Sequence, residues 1–142
     1  MLDLETALTL AKETLAEGRR QKFAPMTITV LDTGGHTIVV LRDDGGAISR
    51  CEIATAKAAG CLGMGFGGRE LERRANMMPT FFNSLTEIFP KGMIALPGGV
   101  LLRDADGKLL GAAGVSGDTS DNDEIALLVG VKAAGLVAQT GA

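Results

Sequence analysis

Two glycine-containing segments in the C-terminal half carry the residue types of a small-molecule binding site. They are Leu96-Pro97-Gly98-Gly99-Val100 and Gly114-Val115-Ser116-Gly117-Asp118. Glycines in such turns leave backbone N–H groups uncovered, and the start of a helix adds partial positive charge. We therefore predict a pocket between these two turns and the start of the final helix. Its predicted ligand-binding residues are Arg50, Lys57, Pro97, Gly98, Gly99, Ser116, Gly117 and Asp118.

The same residues also fit a purely structural role. The glycines would then only allow tight turns, and the acidic residues Asp118, Asp121 and Asp123 would only stabilise the helix dipole. The acidic group lacks the spacing and the glycine of an EF-hand loop, so no metal site is predicted. These carboxylates oppose the positive charge of the helix start, which favours a neutral or metal-chelated ligand over a free anion.

His36 is the only histidine of the chain, and it follows two glycines at the start of a predicted strand. From that turn its imidazole could reach a ligand as a single axial haem ligand or as an acid or base. One histidine cannot build a zinc site with the distant cysteines. The alternative is a histidine that is simply on the surface.

Two further motifs are explained by turns. Asp32-Thr33-Gly34 matches the aspartic-protease signature, but that chemistry needs a second carboxylate, and those proteases are almost entirely β. Asp-Thr-Gly-Gly is a favourable hairpin turn by itself. Gly63, Gly65 and Gly68 match G-x-G-x-x-G but follow a predicted helix rather than a strand. They predict a helix end with a left-handed glycine.

Composition limits the function classes further. The chain has 142 residues, no Trp or Tyr, and a net charge of −3. It is predicted to form one domain, residues 1–142. No basic stripe or aromatic platform exists for nucleic acid, and no apolar run is long enough for a bilayer. The acidic N-terminal residues do not resemble a signal peptide, so a cytoplasmic location is expected.

Hydrophobic periodicity and turn residues predict helices and strands in an α+β order. The predicted helices are 4–21, 50–63, 68–77, a short one within 80–89, and 122–139. The predicted strands are 27–31, 37–41, 93–96, 100–103 and 108–115. Hairpins rather than regular crossovers indicate an antiparallel sheet. The last helix is apolar nearly all round, which predicts a homo-oligomer.

The order of three segments resembles the GlcG/HbpS family, which includes the C-terminal domain of PduO-type proteins. They are Asp32-Thr33-Gly34-Gly35-His36, the Pro97-Gly98-Gly99 segment, and Gly114-Val115-Ser116-Gly117 followed by Asp123-Glu124. The resemblance implies a profilin-like fold with a five-stranded antiparallel sheet between helices, and dimers to octamers. It also implies haem or corrinoid-related binding in some members. Asp118 departs from the family pattern, where a second glycine is common.

The leading functional hypothesis is a small-molecule-binding protein, with haem or another tetrapyrrole as the first ligand to test. The rival is an enzyme acting on a small organic acid or an aromatic-ring metabolite. In it Lys57 or Arg50 would hold the carboxylate, and the proton would be moved by His36, Asp118 or Glu124. A third hypothesis is an oligomeric structural protein without a ligand.

Overall fold

A computed structural model describes all 142 residues and confirms the α+β class, with five helices and a five-stranded sheet. The helices are α1 (Leu4–Arg20), α2 (Arg50–Met64), α3 (Gly68–Met77), α4 (Pro79–Leu85) and α5 (Ser120–Ala133). The strands are β1 (Thr27–Asp32), β2 (Thr37–Arg42), β3 (Gly99–Arg103), β4 (Leu109–Ser116) and β5 (Val137–Gln139). None of the helices has the length and apolar character needed to cross a bilayer.

The sheet has the order β2-β1-β4-β3-β5, and every neighbouring pair is antiparallel. Its register places Gly114 of β4 beside Thr29 of β1 and Gly99 of β3. Thr27 and Ser116 are paired at the same end of the sheet. The two glycine turns predicted to form a site therefore meet at one end of the sheet.

Helices α1 and α5 cover one face of the sheet. Asp3 caps α1 by accepting a hydrogen bond from the Thr6 N–H at 2.8 Å. The two helices approach closely because α5 has a glycine at the crossing, where a Cβ on Gly130 would lie 2.5 Å from the carbonyl oxygen of Leu10. The core beneath them is aliphatic and includes Leu10, Ile28, Val30, Val100, Val115 and Leu127.

Helix α2 crosses the other face and is close to the sheet backbone. Ala54 and Ala58 face Gly114, where any Cβ would collide with the Ala54 carbonyl oxygen and lie 2.9 Å from the Ala58 nitrogen. The helix ends at Met64, and the following Gly65 has a left-handed φ of +79° and donates to the Cys61 carbonyl. This confirms the helix-end interpretation of the G-x-G-x-x-G match.

The prediction of a strand at 93–96 is wrong, because these residues belong to an irregular segment between α4 and β3. The apolar residues there are explained by packing. Met93 is buried against Gly60 of α2, whose missing side chain leaves the space that the Met93 sulfur fills. Phe89 packs in the same way on Gly63, where a Cβ would lie 2.9 Å from the ring. The segment 86–98 is therefore attached to α2 by two side chains.

The predicted end of the last helix at 139 is also wrong. The helix stops at Ala133, and Gly135 then takes a left-handed φ of +75°. The N–H groups of Gly135 and Leu136 bond back to the carbonyls of Lys132 and Val131, which closes the helix end. The chain reverses there, and Val137–Gln139 pairs with β3 as the fifth strand.

Candidate functional site

The end of the sheet formed by Thr27, Gly99 and Ser116 holds a buried ion pair. The Lys57 ammonium of α2 lies 3.0 Å from the Asp123 carboxylate of α5, and these side chains are only 3% and 2% exposed. Burial raises the pKa of Asp123, while the Lys57 charge and the Asp118 N–H oppose that shift. The backbone of Gly98 passes beside the pair, since a Cβ there would lie 2.9 Å from the Lys57 nitrogen. The predicted neighbours do come together, but Lys57 is neutralised by Asp123.

Arg50 is the more available cation at this end. Its guanidinium donates to the Ser116 hydroxyl at 3.0 Å and is partly exposed. The hydroxyl of Thr27, the strand partner of Ser116, is buried and has no hydrogen-bond partner. Gly99 and Gly117 allow the neighbouring backbone to pack closely at this end of the sheet. A Cβ on Gly99 would lie 2.7 Å from the Lys57 carbonyl oxygen, and one on Gly117 would lie 2.7 Å from the Met26 Cα.

Asp118 has a structural role that occupies both of its carboxylate oxygens. One accepts from the Ala24 N–H at 2.7 Å, and the other accepts from the Thr119 N–H and the Asn122 side chain. These donors, the Ala24 N–H foremost, hold the pKa of Asp118 below its ordinary value of 3.8. The residue that departs from the family pattern therefore fastens the β4–α5 turn to the α1–β1 connection.

This arrangement predicts a specific acid sensitivity. Because the pKa of Asp118 is lowered by folding, its ionised form stabilises the fold above pH 3.8, and the contribution is lost as the pH falls through the lowered value. We expect Asp118→Asn to reduce the free energy of unfolding at pH 6 and to differ less from wild type at pH 3. Urea unfolding at both pH values measures this. Asp106→Asn, in the exposed β3–β4 turn, is the control, and a deficit of equal size at both pH values would contradict the prediction.

Glu124 forms an ion pair with a cationic side chain that was not predicted from the sequence. Arg69, at the start of α3, donates to the Glu124 carboxylate at 2.8 Å and to Asp121 at 2.9 Å. The second Glu124 oxygen is buried and has no hydrogen-bond partner.

His36 lies apart from these charged residues at the end of the sheet and belongs to the turn between β1 and β2. Its side chain is 81% exposed, and its Nδ1 lies 3.3 Å from the Asp32 carboxylate. The same Asp32 oxygen accepts from the N–H groups of Gly34 and His36, which confirms the hairpin-turn interpretation of Asp32-Thr33-Gly34. These hydrogen bonds lower the pKa of Asp32. The Nδ1 edge of the imidazole therefore lies beside Asp32, and Nε2 has no hydrogen-bond partner.

A cavity of about 460 Å³ opens beside this histidine. The β1–β2 turn, the C-terminal half of α2 and the segment 86–98 enclose it. Its walls are mainly apolar or glycine, and Lys91 is the one charged residue among them. The lining includes Gly35, His36, Ala59, Leu62, Phe89 and Lys91. The volume is within the range of small-molecule sites.

The α2 residues that line this cavity were not predicted as site residues, because they form a cavity wall only through their tertiary contacts with residues 89–91. A second cavity of about 440 Å³ shares Pro90 and Lys91 and is lined on the α2 side by Cys51, Glu52 and Thr55. Cys51 is half-buried there, whereas burial raises the pKa of the Cys61 thiol to about 12. No group of three or more His, Cys, Asp or Glu side chains is placed to hold a metal ion.

One antiparallel sheet between two helical layers defines a small α+β domain of the profilin-like kind. The chain belongs to the HbpS-like family, whose family model, described as haem degrading protein HbpS-like, matches residues 2–132. The resemblance found in the sequence is thereby confirmed.

Individual relatives agree with this assignment. The crystal structure of HbpS is 27% identical, with a TM-score of 0.78 over 92% of this chain and 88% of that one. The crystal structure of a PduOC:heme complex is 20% identical and shares the fold, with a TM-score of 0.83 over 99% of each chain. An uncharacterised 15.0 kDa protein from the dhaT-dhaS intergenic region of Citrobacter freundii is 28% identical over 101 residues, covering 71% of this chain and 70% of that protein.

Proposed function

We propose that this protein binds a small planar molecule in the cavity beside His36, with haem or another tetrapyrrole as the first ligand to test. The observation that carries the proposal is the position of the only histidine at the rim of a largely apolar cavity of about 460 Å³. Family membership and the haem complex of the PduO-type relative support haem as the ligand.

The residues present fit haem by their chemistry. Imidazole is the commonest protein ligand of haem iron, and a carboxylate on the other ring nitrogen orients such a ligand. Asp32 is placed for that task, since it lies 3.3 Å from Nδ1. Ala59, Leu62 and Phe89 offer apolar surface for a macrocycle. When bound, haem would supply an iron centre for redox chemistry or oxygen binding, while His36 and Asp32 hold it and the apolar walls exclude water.

Haem titration of the purified protein tests the proposal. We expect a saturable shift of the Soret band in wild type and a lost or strongly shifted band in His36→Ala, because the imidazole that would hold the iron is removed. Asp32→Asn should keep binding but weaken it about tenfold, within the range of such orienting contacts. Lys132→Ala, on the exposed side of α5, is the control. A His36→Ala spectrum identical to wild type would remove His36 as the ligand.

The second candidate is an enzyme acting on a small organic acid at the sheet end. The buried Glu124 oxygen without a partner favours it, since such an atom is available to bind or move a proton. Arg50 would hold the substrate carboxylate, because Lys57 is paired with Asp123. Pro97, Gly98, Gly99, Ser116 and Gly117 would line that site, with Asp118 restricted to its structural role.

We further propose a homo-oligomer, between a dimer and an octamer, in the cytoplasm. Apolar side chains remain exposed on the outer face of α5 and around the α3–α4 junction. They are Ile125, Leu128, Met77, Met78, Phe81 and Ile88. Burying such surface is the usual reason for subunit association. We expect light scattering to give at least twice the 14.6 kDa chain mass at micromolar concentration, and a stable monomer would contradict this.

A further inference from the structure

We propose that Lys91 is the anion-binding residue of the His36 cavity and also its latch. Its ammonium would exchange the Gly35 carbonyl for a ligand carboxylate when the ligand enters. The inference rests on the proposed function and assigns the class of ligand, which is a planar molecule that carries a carboxylate. The carboxylate could belong to a tetrapyrrole side chain or to a small aromatic acid.

Lys91 has an uncompensated charge at the cavity wall. It forms no salt bridge, and its ammonium donates to the neutral carbonyl oxygen of Gly35 at 2.6 Å. Glu52 lines the neighbouring cavity with Lys91, yet no carboxylate oxygen lies within ion-pair distance of the ammonium. Asp32 is held by the backbone of its own turn and by His36. The cavity therefore presents one free positive charge.

The hydrogen bond from Lys91 to Gly35 also bridges two walls of the cavity, since both residues line it. It joins the segment 86–98 to the β1–β2 turn. In this proposal, a ligand that enters between these walls opens this bridge. A carboxylate is the group best suited to replace the carbonyl, because it adds an opposite charge to a hydrogen bond whose donor is already charged.

The affinity experiment compares haem with its uncharged dimethyl ester in wild type, Lys91→Met and Lys91→Arg. Met keeps most of the aliphatic stem, and Arg keeps the charge. We expect Lys91→Met to weaken haem binding about fivefold, as for an exposed charge pair, and not to weaken binding of the ester. Lys91→Arg should behave as wild type. Equal weakening of haem and ester, or no weakening of either, would overturn the anion role.

The role of the Lys91–Gly35 hydrogen bond as a latch is tested without any ligand, so the result does not depend on haem binding. Glu87 is exposed in the same segment, and a glutamate-specific protease reports its accessibility by mass spectrometry. We expect cleavage after Glu87 to be several-fold faster in Lys91→Met than in wild type and Lys91→Arg. Equal rates in all three proteins would overturn the latch.

Benzoate added to the wild-type reaction distinguishes the two sources of the carboxylate. If it changes the Glu87 cleavage rate of wild type but not of Lys91→Met, a small aromatic acid is sufficient as the ligand. If only haem has this effect, the carboxylate belongs to a tetrapyrrole. If neither compound changes the rate, ligand exchange at Lys91 is wrong.

Discussion

Lys57→Met is expected to lower the free energy of unfolding by about 3–5 kcal/mol, the usual cost of breaking a buried ion pair. The substitution leaves the Asp123 carboxylate 2% exposed and without its cation, although the Asp118 N–H still bonds to it. Urea unfolding at pH 7 measures the effect. Lys12→Met, at an exposed position of α1, should stay within about 0.5 kcal/mol of wild type.

A double variant distinguishes the stability lost with the ion pair from the stability lost with side-chain packing. Lys57→Met combined with Asp123→Asn removes both charges and keeps an oxygen to accept the Asp118 N–H. We expect the double variant to recover most of the stability, because neutral replacement of a whole buried pair costs little. A loss below about 1 kcal/mol in Lys57→Met alone would show that the pair is not the element that fixes this end of the sheet.

Gly114→Val is expected to destabilise the protein by more than about 3 kcal/mol or to prevent folding. No side chain fits at this position, because the Ala54 carbonyl and the Ala58 nitrogen of α2 occupy the space where a Cβ would lie. These are backbone atoms, so the helix itself would have to move. Since α2 provides one wall of the His36 cavity, ligand binding should be lost together with stability.

Thermal unfolding and haem titration measure both consequences for this variant. Thr37→Val is the control, since it introduces the same residue at an exposed position of β2. The control should keep wild-type stability and binding. A Gly114→Val protein that unfolds within about 1 kcal/mol of wild type would contradict the close packing of α2 on the sheet.

Local signals in the sequence were enough to predict that several residues at this end of the sheet lie close together. Glycine pairs, the acidic start of α5 and the order of the motifs placed Lys57, Ser116 and Gly98 in one region, and the structure brings them together. The pairing of Lys57 with Asp123 was not predictable, because the two residues are 66 positions apart and neither spacing nor composition encodes that contact.

The cavity wall contributed by residues 89–91 was missed for a related reason. This segment has no helical or strand periodicity, and its nearby apolar residues at 93–96 were interpreted as a strand. Its place is set by two glycines of α2, at 60 and 63, that receive Met93 and Phe89. A glycine in a helix is a weak signal from sequence alone, because it does not tell which side chain fills the space.

The location of bound haem is tested by the glycine amide signals in an NMR titration of the protein with haem. Gly34, Gly35 and Gly63 line the His36 cavity, whereas Gly98, Gly99 and Gly117 lie at the sheet end. The haem iron broadens the nearest signals most. We predict that the signals of Gly34, Gly35 and Gly63 disappear first in wild type and persist in His36→Ala. Broadening that begins at Gly98, Gly99 and Gly117 would contradict the account and place the ligand at the sheet end.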